Sequence, residues 1–491
     1  MPPDSITNPP SADSLELSAS EREALGGAAL GWVLKYFNEA SAPPVYPTVG
    51  AAQLSALVDE ALPQDAQPVA AVLEQFAMLA SFGRNNGHPR MFGYVQSSGS
   101  FAGVAADFLT SAFNQNVTSW RSAPSATAVE HQVIDWMKAM SGFDREAGGI
   151  LLSGGSLANF AALAVALRAS TDVDVNQLGV GALPGKPRIY ASAMTHMSIP
   201  KAAAMLGIGR DAVHLVPVDA EFRMDVGALR TQIASDRAAG HHPVCVVGNA
   251  GEVNTGAIDP LHDIAEVCAE QRVWFHIDGS YGGFAARAPR AAPALAAIGR
   301  ADSLSLDPHK WLFAPLDAGC LLVRDPRHLK RAFTHGAAYV DVIADRDMSE
   351  FAFWDHGPEL SRRFRALKIW FILKCHGARA ITAAIDDNIA VAQTLAAAID
   401  ASPDFERLAP VPLSIVCFRY APARLRGQRD TLNALNRTLM VDVQREGEAY
   451  LSNAMIGDDF ALRACIVNYR TTAADMRVLL ETIRRVAART A

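Results

Sequence analysis

Four short stretches of the chain hold residue types that can do chemistry. Leu152-Ser-Gly-Gly-Ser-Leu-Ala-Asn-Phe sets two glycines and a serine between an apolar run and a helical one. Glycines let backbone N–H groups approach an anion, and a helix N-terminus favours negative charge. The GxGxxG and GK[ST] spacings are absent, so neither a dinucleotide fingerprint nor a P-loop is present, and a plain tight turn fits the same residues. In Phe275-His-Ile-Asp-Gly-Ser-Tyr-Gly-Gly, the carboxylate of Asp278 ends a strongly apolar segment. Burying it is costly unless a cation pairs with it; an Asx-turn cap is the plainer alternative.

Ser303-Leu-Ser-Leu-Asp-Pro-His-Lys-Trp-Leu-Phe-Ala-Pro places Lys310, one of only eight lysines, beside His309 among apolar residues. A lysine stripped of water there can expose the neutral, nucleophilic amine that Schiff-base chemistry needs; a side chain snorkelling to the surface is the bland alternative. His196, in Thr195-His-Met-Ser-Ile-Pro-Lys, follows another apolar run. A lone histidine is more often structural than catalytic. Together, an anion cradle, a buried carboxylate, a flat imidazole and a desolvated lysine describe one ligand, pyridoxal 5′-phosphate (PLP).

Such groups converge only if the fold brings strand ends together. Short apolar runs at Ile150, Ile189, Val213, Val244, Val273 and Cys320 alternate with amphipathic stretches such as 157–168 and Leu261–Gln271. That alternation predicts βα units on a mostly parallel sheet covered on both faces. Ligands bind at the carboxyl ends of such strands, where the four stretches lie. After about Lys368 the text changes to long helices with strands near 413–419 and 461–467, a smaller α+β domain. Residues 15–80 read as helical, with a turn at Ser41-Ala-Pro-Pro-Val-Tyr-Pro, and His88-Pro-Arg-Met-Phe-Gly-Tyr-Val-Gln-Ser-Ser reads as an extended loop.

Composition excludes other classes. With Lys+Arg 44 against Asp+Glu 51, the net charge of −7 gives no global field for nucleic acid or an anionic membrane. The six cysteines never approach CxxC spacing, so they read as buried free thiols with no metal site. No basic-then-apolar leader opens the chain and no run approaches the roughly 20 apolar residues of a membrane span. A cytoplasmic enzyme is the expectation.

The chain resembles the PLP-dependent group II amino-acid decarboxylases, the family of aromatic-L-amino-acid and glutamate decarboxylases, from about Val45 onward. The landmarks are His88-Pro-Arg-Met-Phe, Trp120…Ala123-Pro, Ser153-Gly-Gly-Ser, Thr195-His, His276-Ile-Asp, Asp307-Pro-His-Lys-Trp, Arg362-Arg-Phe-Arg-Ala-Leu-Lys and Ala461-Leu-Arg. The resemblance implies an α/β fold of PLP fold type I: a large domain on a mostly parallel seven-stranded sheet, a small α+β C-terminal domain and an N-terminal helical segment. The corresponding division is 1–14 disordered, 15–100 helical and packed on a partner, 101–367 PLP-binding, and 368–491 C-terminal.

It also implies roles. Lys310 carries the cofactor, Asp278 faces the pyridine nitrogen, His196 covers the ring, Gly155 and Ser156 hold the phosphate, and His309 lies beside phosphate and ring. Tyr339 falls on a stretch, 335–354, that reads as a mobile loop, where its phenol would return a proton to the substrate and decide between amine and aldehyde. A homodimer shares its sites across the interface, with segments 94–97 (Tyr94, Gln96, Ser97) and 116–120 lining the substrate pocket.

There are departures. Asp307 stands where the aromatic-decarboxylase relatives have Asn, an anion near a phosphate. The turn Gly251-Glu-Val-Asn-Thr-Gly offers Asn254 or Thr255 for their ring-contacting Thr. Asn116 and Thr118 replace apolar pocket residues, and Arg121 adds a cation beside Trp120. The expected activity is decarboxylation of an L-amino acid, aromatic by choice, to amine and CO2. The alternatives are an acidic substrate, an aldehyde-forming reaction on the same scaffold, or a silent binding homologue.

Overall fold

The computed structural model describes residues 15–42, 44–334 and 351–490. The disorder expected for 1–14 and the loop position of Tyr339 lie outside the described residues. The apolar runs of the middle of the chain form a seven-stranded sheet: β1 (Gly148–Leu152), β2 (Pro187–Ser192), β3 (Val213–Val216), β4 (His242–Asn249), β5 (Trp274–Asp278), β6 (Ser303–Leu306) and β7 (Gly319–Val323), in the order β1-β7-β6-β5-β4-β2-β3. β7 runs antiparallel to both neighbours, and every other pairing is parallel. Helices cover both faces, so the strands are buried on both sides and read as continuous apolar text. The expected fold is the one observed.

Helix Gly155–Ala169 follows β1 directly. Its alanines 158, 161, 162 and 166 are fully buried, and such small side chains let it lie close against β4, β5, β6 and β7. Helix Pro124–Ser141 has Pro at its first turn and ends on Gly142 in the left-handed region (φ 73°), the usual asymmetry of start and stop signals. Behind it, Arg362 and Glu130 form a fully buried ion pair. The same guanidinium donates to the carbonyls of Val117 (2.8 Å) and Leu151 (2.9 Å), which satisfies the buried charge and ties β1 to the 116–120 segment.

A second, antiparallel sheet, order β10-β11-β9-β8, is built from β8 (Phe405–Arg407), β9 (Ile415–Tyr420), β10 (Ser452–Ile456) and β11 (Asp459–Cys465). β9 and β11 are offset slightly from the expected 413–419 and 461–467; the turn at Gly457 (φ 59°) sets where β11 begins. Helix Ala366–Asp400, kinked at Gly377 (φ 78°), packs on helices Phe101–Phe113 and Pro124–Ser141 and on the second sheet, so it spans both regions.

The N-terminal text forms helices Ala19–Asn38, Ala51–Val58 and Val69–Ser81. None of the three buries a residue; Leu30, Leu34, Val58, Val72, Phe76 and Met78 are exposed. No helix among the described residues is long and apolar enough to cross a membrane. Cys375 is exposed, a correction to the expectation that all six thiols are buried, because it lies near the kink of a helix whose face there is open; the other five are buried and free.

Candidate active site

The register of the central strands sets Asn249, Asp278 and Ser305 side by side at the carboxyl ends of β4, β5 and β6. Above this row lies a cavity of about 480 Å³, lined among others by Gly155, Ser156, His196, Asp278, Asp307 and Lys310. The four stretches singled out in the sequence thus converge, as the strand-end argument predicts.

The turn into helix Gly155–Ala169 makes one wall. Its N-cap, Gly154, provides no side-chain cap, so the first backbone N–H groups are left for another acceptor. A Cβ at Gly155 would strike Ser280 Oγ and come within 2.8 Å of Asp307 Oδ2. Only glycine fits there, because Ser280 and Asp307 close directly on it, beside a helix start that has no side-chain cap and carries the positive end of the helix dipole.

Asp278 faces this wall from the end of β5. Its oxygens accept from Asn159 Nδ2 (2.8 Å), the Ser280 N–H (3.1 Å) and Ser305 Oγ (3.2 Å). Burial pushes its pKa up, but the Lys310 charge and the Ser280 donors outweigh that and hold it below the usual carboxylate value. The group is a fixed anion.

Lys310 sits on the short helix Pro308–Trp311 that follows β6. The expectation of an amine among apolar groups is corrected: Nζ lies 2.9 Å from Asp307 Oδ2, and its side chain is 21% exposed. Burial does not single it out, since Lys138 and Lys368 are more deeply buried and hydrogen-bonded to backbone carbonyls. Its place in the cavity with Asp278 does. Asp307 is itself buried, and its Oδ1 has no hydrogen-bond partner among the described residues. His309 donates from Nδ1 to the Ala318 carbonyl at 2.6 Å, and Ser97 Oγ donates to the His309 carbonyl at 2.9 Å, so both brace the lysine-bearing helix.

His196 lines the cavity, and its Nδ1 accepts from the Ser198 N–H at 3.2 Å. The remaining proton is therefore on Nε2. Burial lowers its pKa, with Lys310 adding to the effect against Asp278 and Asp307, which favours the neutral ring.

Other expected residues are placed differently. Tyr94 lines the cavity in a left-handed conformation (φ 62°), but Gln96 is turned to accept from Arg84 at 3.0 Å. Gly251, Glu252 and Val253 reach the cavity while Asn254 and Thr255 do not: the Thr255 hydroxyl is turned onto the Glu252 carboxylate. Asn116, Thr118, Trp120 and Arg121 are absent from this cavity of their own chain. Asn116 Oδ1 accepts the Arg362 N–H at 2.8 Å, Thr118 Oγ1 pairs with Ser122 Oγ at 2.8 Å, and the Trp120 N–H donates to the Phe351 carbonyl at 3.0 Å. Arg121 is exposed. Sequence reasoning missed Asn159, His276 and Arg463, though all three stand inside quoted motifs. Arg463 lines the cavity, donating to Ser452 Oγ (3.0 Å) and the Val253 carbonyl (2.7 Å).

Known proteins share the sequence pattern and the fold. Residues 52–421 match the model of the pyridoxal-dependent decarboxylase conserved domain. The chain is 36% identical over 478 residues to an aromatic-L-amino-acid decarboxylase of Bacillus atrophaeus, covering 97% of each. It is 29% identical over 464 residues to a phenylacetaldehyde synthase of a Rosa hybrid cultivar, covering 92% of this chain and 90% of that one. In structure it is similar to a TDC of Oryza sativa solved with PLP and tryptamine, with a TM-score of 0.89, 25% identity, and 97% and 99% of the two chains covered. The cavity suits PLP chemically: a helix start with no side-chain cap for a phosphate, an anion for a ring nitrogen, and an amine for an aldehyde.

Proposed function

The chain belongs to the pyridoxal-dependent decarboxylase family, and from that premise we propose that it converts a bulky aromatic L-amino acid to its amine and CO2. It is a PLP-dependent carboxy-lyase; substrate, product and residue roles are the proposal. The observation that carries it is the meeting of Lys310, Asp278, His196 and the Gly155–Ser156 turn around one cavity. Bound PLP supplies an aldehyde that captures amines and a ring that accepts the electron pair left by departing CO2.

Lys310 offers the amine that holds the cofactor. Asp278, kept anionic by its donors, retains a proton on the ring nitrogen. His196, neutral, covers one face of the ring and excludes water from it. Gly155, Ser156 and the helix end bind the phosphate, and His309 and Ser97 keep the lysine-bearing helix in place. Tyr339 is assigned the proton delivered to the substrate's Cα, which makes the amine rather than an aldehyde. The three N-terminal helices, with their exposed apolar faces, are assigned to a second copy of the chain. In that homodimer the 116–120 segment, absent from its own cavity, serves the partner's site.

Aromatic choice is supported by the names of similar proteins and by the apolar wall of Val95, Leu157, Val253 and Tyr281. Arg463, a buried cation in the same cavity, favours a second reading, an acidic side chain. A competition assay with PLP-loaded enzyme separates them, measuring CO2, amine, aldehyde and peroxide. Tyrosine, tryptophan or phenylalanine is expected to outcompete glutamate and aspartate and yield amine. Preference for an acidic substrate, or stoichiometric oxygen consumption, would overturn the proposal; for Tyr339→Phe a shift toward aldehyde and peroxide is expected.

A further inference from the structure

Behind the cavity a single line of hydrogen bonds runs along β5, on the face covered by helix Gly155–Ala169. Trp274 Nε1, which can only donate, meets Ser303 Oγ at 2.9 Å. The serine's own proton is then free for His276 Nδ1, 2.9 Å away. His276 Nε2 therefore keeps its proton and gives it to Asn159 Oδ1 at 3.1 Å. The Asn159 amide donates to Asp278 Oδ2 at 2.8 Å and to Ser198 Oγ at 3.0 Å, and Ser198 Oγ lies 2.9 Å from His196 Nδ1. Both N–H groups and the oxygen of Asn159 are used, and His276 and Asn159 are fully or almost fully buried.

We propose that Asn159 is a positioning residue that holds Asp278 and His196 in one fixed relation, and that His276 sets the direction in which its amide points. An amide can turn over, exchanging oxygen for nitrogen. Turned over here, it would set its oxygen against the Asp278 carboxylate and its N–H groups against a donor, so the His276 proton excludes that orientation. Burial lowers the His276 pKa to about 4, so the ring stays neutral with one donor and one acceptor, as the line requires. Every bond between Trp274 and Asp278 runs the same way, with its protons directed toward the carboxylate, which steadies the anion and its rotation. Lone pairs of Asp278 not taken by these donors are left facing the cavity.

The inference rests on the assignment of Asp278 to the ring nitrogen, and the test separates the two. Full-length variants are reconstituted with PLP, and three quantities are read: the Kd for PLP by absorbance titration of the apo form, kcat and KM separately, and thermal unfolding of the apo form. Asn159→Asp keeps the shape but replaces a donor with an acceptor; His276→Phe fills the volume without a donor; His276→Gln restores a donor and an acceptor. Asn159→Asp is expected to raise the Kd and lower kcat by about 10- to 100-fold, the scale on which supporting partners of a fixed ligand act, with KM little changed. His276→Phe should follow by about tenfold and His276→Gln should recover most of the loss. Unchanged Kd and kcat in Asn159→Asp and His276→Phe, alongside a clear loss in Asp278→Asn, would overturn the positioning role. So would losses of affinity that only track loss of the apo unfolding transition, or equal losses in His276→Gln and His276→Phe. If Asp278→Asn itself keeps both Kd and kcat, the assignment of Asp278 falls and the line behind it falls too.

Discussion

Asp278 and Asp307 follow neighbouring strands, β5 and β6, line the same cavity and are both buried. Both feel the Lys310 charge, but their hydrogen-bond partners differ. Asp278 accepts from three donors drawn from a helix and two strand ends, and is held as an anion. Asp307 has the amine of Lys310 at 2.9 Å and His309 Nε2 at 3.7 Å on one oxygen, and no hydrogen-bond partner among the described residues on the other. A carboxylate bound by a rigid shell keeps one orientation, whereas one bound by a flexible side chain can change partners during a reaction. The same residue type, a strand apart, is thus fitted for a permanent charge in one place and a temporary contact in the other.

The contrast can be broken at several points. Lys310→Ala removes the nearer of these partners of Asp307, and complete loss of turnover is expected, with no borohydride-fixed phosphopyridoxyl label at that position. A label found instead on Lys138 or Lys368 would show that burial, not placement, selects the cofactor lysine. Asp278→Asn is expected to lower kcat by about 10²- to 10³-fold, as losing one preorganised electrostatic contact does; activity within a few-fold of wild type would put the electrostatic role elsewhere.

Acid should reach the Asp278 side through His276. Its folded pKa, about 4, lies below the ordinary 6.5, so the unfolded chain takes the proton first. Stability is complete above about 6.5 and falls as pH drops toward 4, by about 3 kcal/mol from this group. His88 shifts the same way for the same reason, burial, with Arg90 adding to it. Denaturant titrations from pH 7 to 4 should therefore show a shallower decline in His276→Gln than in wild type; parallel declines would remove His276 from the account. Asp307→Asn is the smallest effect. Removing an anion from a helix N-terminus that holds a phosphate should tighten PLP about two- to fivefold, the scale of one such charge, and change kcat by no more than a few-fold. A loss as deep as that of Asp278→Asn would erase the distinction between the two.

Some of this could be read from the amino acids alone. Lys310 and Asp278 stand out because a charge in apolar text is costly and therefore carries information, and the alternation of apolar runs implied strand ends where they could meet. Asn159 and His276 did not stand out, because their meaning lies in a contact across 117 residues of sequence. Each is an ordinary helix or strand residue until the sheet is assembled. Arg463 was hidden for the same reason: it reaches the cavity from β11 of the second sheet, beside the Val253 carbonyl. Conversely, Thr255 has the right residue type in the right turn, but a nearer acceptor, Glu252, takes its hydroxyl. Local text does not reveal such competition.

Helix Gly155–Ala169 supplies the cradle at its first residues and the Asn159 amide one turn later. Four residues of helix rise about 6 Å, and that length is stiff, because the helix is clamped on the sheet by its buried alanines. With the cofactor held as proposed, the helix works as a gauge. A molecule of the right length satisfies both ends together, and a shorter one, lacking the phosphate, engages only one end. Selection among pyridoxal forms then rests on this fixed spacing as much as on the Ser156 and Asp278 side chains at its ends.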